Sequence, residues 1–312
     1  MLRTLPHRPV SCESTRGHLL ALVLVAFLSS CAGGIAEFNG PDAPQFVPYA
    51  PGNRPRLALV LGAGGPRGFA HVGVLKVLEA NNIQPDLVVG ASVGAMIGAL
   101  YANGKSAAAI EKIALAIDPK RFIGVSISGF TGNGNALEAF IRELTDSKPL
   151  EGFQRKLAVT AAKRDDNVLT VFTRGDTGAA VRASSATPGQ FAPVRIRGVE
   201  YHDGDEAQPV PIRVARDLGA DVVIAVDVSA YLERTPTEAP EAWRIRDRKR
   251  TALIEHERPL ADVFIHPDLN YYAGMSDAYR LMCIQRGEEA ARAALPKIRE
   301  AMRASAARLA KP

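Results

Sequence analysis

Residues 90–94 read Gly90-Ala91-Ser92-Val93-Gly94, a G-x-S-x-G pentapeptide between the apolar run Leu87-Val88-Val89 and the small-residue segment Ala95 to Asn103. The pattern predicts a strand that turns into a helix with no intervening loop. So tight a turn crowds its flanking positions, which favours glycine there, and it pushes the Ser92 hydroxyl out at the end of the sheet. The helix that follows points its N-terminus at that hydroxyl, and its free N–H groups favour developing negative charge. In this setting the pentapeptide is a nucleophile elbow. Outside it, the same residues make an ordinary small-residue turn.

Upstream, Leu57-Ala58-Leu59-Val60-Leu61 reads as a buried strand that runs into Gly62-Ala63-Gly64-Gly65-Pro66-Arg67-Gly68. A glycine-rich turn between a strand and a helix presents successive backbone N–H groups as an anion cradle. Two nucleotide motifs fail on it. The dinucleotide fingerprint needs glycine where Arg67 stands, and a P-loop needs Lys-Ser/Thr where Phe69-Ala70 follow Gly68. A glycine loop without phosphate-binding residues, followed by an elbow serine, reads as an oxyanion hole.

A serine nucleophile needs a base. Far downstream, Tyr201-His202-Asp203-Gly204-Asp205 follows an expected strand over 192–199. The Asp203 carboxylate is placed to take the Ser92 proton directly. Asp-Gly is also a common turn dipeptide, so the residues alone leave an Asx turn open.

These elements, in this order, resemble the bacterial patatin-like phospholipase family. The resemblance extends to the helix from Gly68 to Leu78, to Val181-Arg182-Ala183-Ser184-Ser185-Ala186-Thr187-Pro188-Gly189, and to the segment from Pro209 to Asp227. It covers residues 56–230. It implies a three-layer α/β fold with a mostly parallel central sheet and helices on both faces. It also implies a Ser–Asp dyad that hydrolyses lipid acyl esters with no cofactor, metal or histidine. Carried over residue by residue, Ser92 is the nucleophile, Asp203 the base, and Gly64 and Gly65 the oxyanion donors. Gly62, Arg67, Gly68, Gly90, Gly94 and Gly204 support them. The chain departs from the family pattern at three places. Ala63 replaces the first loop glycine and resists positive φ. Asp205 replaces a small residue after Asp203-Gly204, either raising the pKa of the base by like-charge repulsion or pointing to solvent. Gln208 stands where asparagine is usual.

The N-terminus reads as a targeting segment. Arg3, Arg8 and Arg16 precede an apolar stretch from Leu19 to Leu28, too short for a comfortable membrane span. Leu28-Ser29-Ser30-Cys31 then looks like a bacterial lipobox, with Cys31 acylated after removal of residues 1–30; a plain secretory signal is the other reading. Ala32 at the next position points to the outer membrane, facing the periplasm. Residues 31–55, rich in proline and glycine, are expected to tether a hydrolase domain over 56–312. Cys12 leaves with the signal, so Cys283 would remain alone, without a disulfide framework.

At 312 residues and 47% hydrophobic, the chain can bury a sizeable core, and the net charge of +5 is mild. With 6% aromatics and no basic stripe, nucleic acid is not an expected partner; lipid substrate and a membrane surface are. Alternating strands and helices argue a largely parallel sheet. Residues 123–135 form an apolar, glycine-rich loop that reads as a lid or a plain surface loop. Residues 233–249 read as a polar interruption before a strand near 261–265 and a long helix over 276–309. That helix either packs on the sheet or, through Arg292, Lys297, Arg299, Arg303 and Arg308, touches a membrane. Two other functions stay open: a Ser–His–Asp esterase using His256 or His266, and a lipoprotein that binds lipid without turning it over.

Overall fold

The computed structural model describes residues 35–49, 56–122 and 132–309. The signal segment, Cys31 and loop residues 123–131 lie outside the described residues.

The chain order is β1 (Ala36–Phe38), β2 (Leu57–Leu61), α1 (Phe69–Ala80), β3 (Leu87–Ala91), α2 (Val93–Ala102), α3 (Ala107–Ala116), α4 (Gly134–Leu144), β4 (Lys156–Lys163), β5 (Leu169–Phe172), α5 (Thr177–Ser184), β6 (Val194–Ile196), β7 (Val199–Asp203), α6 (Ile212–Asp217), β8 (Val222–Val226), α7 (Glu241–Glu257), β9 (Val263–Ile265) and α8 (Asp277–Leu309). The strands form one sheet. Its hydrogen-bonded neighbours run β1-β6-β7-β4-β3-β2-β8-β9, with β5 also on β4. The β3-β2-β8-β9 part and the β3–β4 pair are parallel. The pairs β4–β5, β4–β7 and β6–β7 are antiparallel.

The central strands are buried on both faces, as their continuous apolar runs predict. Leu57, Leu59 and Leu61 of β2 share one core with α1, α2 and α8, whereas Ala58 and Val60 face a second core with α6 and Ile254 of α7. The expected mixed α/β architecture, with helices on both faces, is thus present. Helix α8 packs on α1 rather than lying free. A Cβ at Gly73 would fall 1.9 Å from the Ile284 carbonyl oxygen, and one at Gly287 would fall 2.0 Å from that of Ala70. The two helices touch backbone to backbone.

Three local expectations change. Residues 36–38, read as tether, add a parallel edge strand to β6, and Ala43 is buried in the core. The segment around 192–203 is a hairpin rather than one irregular strand followed by a turn. Arg197 (φ 51°) and Gly198 (φ 79°) close it, and arginine at a positive φ gives little warning of a two-residue turn. Residues 241–257 form a helix. It buries only Ile254 and Glu257, so it lacks the apolar periodicity that announces an amphipathic helix. Ion pairs on its exposed side, such as Arg244 to Glu241 at 2.8 Å, replace that signal.

Candidate active site

Ser92 follows the last residue of β3 and caps α2, with φ 55° and ψ −124°. That backbone is strained for any residue with a Cβ, at about 1–3 kcal/mol. The surroundings enforce it. A Cβ at Gly90 would come 2.5 Å from the Ala95 Cα, and one at Gly94 would come 2.0 Å from the Leu61 carbonyl oxygen. The Ser92 N–H is held by Ser184 Oγ at 2.8 Å. Its hydroxyl donates to Asp203 Oδ2 at 2.8 Å.

The strand registers explain how two residues 111 positions apart meet. On β4, residues 159 and 160 pair with β3 on one side and β5 on the other. Residue 161 pairs with β5 and with Asp203 of β7. Each strand has only two edges, so β7 takes the same edge of β4 as β3. The two strands meet end to end: Ala91 is opposite Thr160, and Asp203 is opposite Ala161. Ser92 and Asp203 face each other across that junction. Gly204 fits there because a Cβ would lie 2.6 Å from the Thr160 carbonyl oxygen.

Asp203 is 3% exposed. Thr187 Oγ1 donates to its Oδ2 at 2.7 Å and the Asp205 N–H to its Oδ1 at 3.0 Å. Burial first, and the Asp205 charge second, push its pKa up to about 7, against the pull of these donors. Asp205 itself does not point freely to solvent. Arg250 on α7 pairs with it at 3.2 Å and donates to the Ala63 carbonyl at 2.7 Å. Gln208 Nε2 donates to the carbonyls of Val210 and Leu253, each at 3.2 Å, tying the same turn to α7.

The glycine loop divides its N–H groups. Those of Gly62 and Ala63 donate to Val226 and Pro209 carbonyls, both at 2.9 Å. Those of Gly64 and Gly65 donate to no protein acceptor among the described residues. The positive φ falls on Gly65, at 55°, and not on Ala63, so alanine meets no backbone strain there. Arg67 donates to the carbonyls of Val228 at 3.2 Å and Tyr271 at 2.7 Å. Gly68 caps α1 and abuts the Val93 side chain.

The histidines lie elsewhere. Buried His71 donates from Nε2 to the Gly62 carbonyl at 2.9 Å. Burial, the largest influence, takes its pKa down to about 4, so it is neutral. His202 faces Asn167 at 2.7 Å, away from Asp203. His266 Nε2 donates to the Ser229 carbonyl at 3.0 Å, and His256 is exposed. Among the described residues no histidine bonds to Ser92 or Asp203, no cluster has the ligands for a metal ion, and no helix is long and apolar enough to cross a membrane.

Of the residues expected from the sequence, Ser92 and Asp203 are hydrogen-bonded to each other, and the loop that carries Gly64 and Gly65 abuts the elbow where Gly68 meets Val93 and Gly94 meets the Gly62 carbonyl. Sequence reasoning gave no role to Ser184, Thr187 or Arg250. The first two stand in a Ser-Ser-Ala-Thr run whose small hydroxyl residues at a helix end were the available signal. Arg250 had none, because it is one of several basic residues on α7.

The patatin-like phospholipase family profile matches residues 59–216, just over half of the chain. An uncharacterized NTE family protein of Mycobacterium tuberculosis is 30% identical over 197 residues, which are 60% of this chain and 53% of that protein. Human patatin-like phospholipase domain-containing protein 6 is 32% identical over 188 residues, 57% of this chain and 14% of that protein. Lysophospholipase NTE1 of Candida albicans is 28% identical over 193 residues, 58% of this chain and 14% of that protein. The chain thus spans about half the length of the mycobacterial relative and a small part of the others. Among solved structures, VipD from Legionella pneumophila matches with a TM-score of 0.57 and 13% identity over 82% of this chain and 70% of that one, a likeness of fold. With its glycine loop, elbow and Asp-Gly turn all gathered at one end of such a sheet, the chain belongs to the patatin-like phospholipase family.

Proposed function

We propose that the protein is a lipid acyl-ester hydrolase of the phospholipase A or lysophospholipase kind, working through a Ser92–Asp203 dyad. The observation that carries this reading is the 2.8 Å hydrogen bond from Ser92 Oγ to Asp203 Oδ2. Asp203 takes the Ser92 proton as Oγ attacks the ester carbonyl. The N–H groups of Gly64 and Gly65 receive the charge that develops on the carbonyl oxygen. The C–O bond to the lipid alcohol then breaks, and Asp203 returns its proton to that alcohol. Water attacks the acyl-serine, gives its proton to Asp203, and releases the fatty acid as Ser92 is re-protonated. A base with a pKa raised to about 7 suits this exchange, because it both accepts and returns a proton near neutrality.

The relatives named as phospholipases or lysophospholipases support the substrate class. Against the triad alternative, no histidine among the described residues bonds to Ser92 or Asp203. The Cys31 anchor read from the sequence would hold the site at a membrane surface, where lipid is concentrated.

A fluorophosphonate probe tests the reading. It should label wild-type protein and not Ser92→Ala. Hydrolysis of a lysophospholipid should follow the same pattern. A correctly folded wild type that takes no label would leave the non-catalytic lipid-binding alternative.

A further inference from the structure

A cavity of about 400 Å³ opens beside the glycine loop. One wall is Pro66-Arg67, directly after Gly65. Another holds Gln190, whose N–H donates to the Thr187 carbonyl at 3.0 Å, while the Thr187 hydroxyl donates to Asp203. The cavity therefore borders both loops that frame the dyad. It is not the largest hollow in the molecule. One of about 700 Å³ lies by Asp86 and Lys156, at the opposite ends of β3 and β4 from Ser92.

The smaller cavity has an unusual charge pattern. Arg67, Arg246 and Arg250 line it, against one acidic lining residue, Asp247. Arg250 is occupied by Asp205 and the Ala63 carbonyl. Asp247 accepts from the Tyr271 hydroxyl at 2.7 Å and lies 3.6 Å from Arg246. Arg67 differs from both. Its acceptors are two main-chain carbonyls, and among the described residues no carboxylate pairs with it. Burial first, and the neighbouring Arg250 second, lower its pKa. Asp205 and Asp227 act on Arg67 only through space, and a partly buried cation with no carboxylate in contact is costly unless an anion completes it. The guanidinium fork matches phosphate oxygens. Tyr271 and Tyr272, ring centroids 5.2 Å apart, and Trp243 also line the cavity.

We propose that this cavity is a phosphate subsite that receives the polar head of a phospholipid, with half-buried Arg67 as its anchor and exposed Arg246 as a second donor. The assignment rests on the lipid-hydrolase reading of Ser92. In a glycerophospholipid only a glycerol unit separates the scissile ester from the phosphate, and a cavity bordering the oxyanion loop meets that constraint. The subsite would let the enzyme prefer phosphate-bearing esters over neutral acylglycerols.

The test compares kcat/KM for a short-chain lysophosphatidylcholine and the monoacylglycerol of the same acyl chain, both monomeric, on the full chain. Losing one charge-assisted hydrogen-bond donor should lower the ratio of the two by about ten- to a hundredfold in Arg67→Gln and in Arg246→Gln. Arg246 is exposed, so its variant answers even where Arg67→Gln fails to fold. An unchanged ratio in folded variants that still take the fluorophosphonate label overturns the subsite. Competition against monoacylglycerol hydrolysis separates the sources of phosphate. Inhibition by glycerophosphocholine well below the concentration of inorganic phosphate required supports a headgroup site. Equal or better inhibition by inorganic phosphate overturns it. Should the wild type turn over neither ester, the hydrolase reading fails on its own. Calorimetric titration of glycerophosphocholine into wild type and Arg67→Gln then decides the subsite: binding lost in the variant supports it, and no binding to wild type overturns it.

Discussion

Arg250 pairs with Asp205 at 3.2 Å, and the same Nη2 donates to the Ala63 carbonyl at 2.7 Å. One side chain from α7 thus joins the turn that carries the proposed base to the loop that carries the proposed oxyanion donors. It also compensates a second carboxylate placed beside the base. The departure Asp203-Gly204-Asp205 and the arginine that answers it belong to one arrangement.

That arrangement sets a pH dependence. Asp203 must be ionised to accept the Ser92 proton, so activity should fall as pH drops through about 7. Asp205 raises the Asp203 pKa through its charge. Asp205→Asn should therefore move the acid limb of the kcat/KM profile to lower pH. Arg250→Gln leaves the Asp205 charge uncompensated and should move it to higher pH. Burial is the larger cause, so the Asp205 shift should stay below the full displacement from an ordinary aspartate. Shifts in the opposite directions would show that Asp205 does not act on the base through its charge.

Ser92→Ala and Asp203→Asn should each lower ester hydrolysis by about 10⁴-fold or more, and the double variant should be no worse than the poorer single one. A near wild-type rate in either folded variant would remove that residue from the mechanism. Additive losses would mean that the pair does not act as a unit.

The elbow backbone makes a separate prediction about stability. Ser92→Ala and Ser92→Gly both remove the hydroxyl, but only glycine relaxes at φ 55° and ψ −124°. Urea unfolding should find Ser92→Gly more stable than Ser92→Ala by about 1 kcal/mol.

The crossing of α1 and α8 leaves no space for a methyl group at Gly73, where a Cβ would lie 1.9 Å from the Ile284 carbonyl oxygen. Gly73→Ala should destabilise the protein by about 1–3 kcal/mol, read as a lower urea midpoint. Gly40 has nothing within 4 Å of its Cβ position, and Gly40→Ala serves as the control that should leave the midpoint in place.

The sequence motif ending in Cys31 predicts that the full chain, expressed in a two-membrane bacterium, partitions with the outer membrane, and that Cys31→Ser releases it or blocks its maturation. Fractionation and metabolic labelling with a fatty acid test this. Labelling that persists in Cys31→Ser would assign the acyl group to another residue.

The local turns were legible in the chain. A glycine on each side of Ser92, a glycine run after a buried strand and an Asp-Gly dipeptide are each dictated by backbone sterics within a few residues, and the apolar runs of β2, β3 and β8 declare a sheet buried on both faces. Their meeting was not legible. Asp203 reaches Ser92 because β7 folds back on the edge of β4 that β3 vacates, a consequence of register between strands distant in sequence. The hairpin that returns it closes on Arg197 and Gly198, and no pattern of apolar residues announces it. Arg250 comes from a helix with little apolar face, held by ion pairs that carry no period. Local sterics are written residue by residue. The pairing of strand edges and the compensation of buried charge depend on which distant groups the completed fold brings within a few ångströms, so only the tertiary structure decides them.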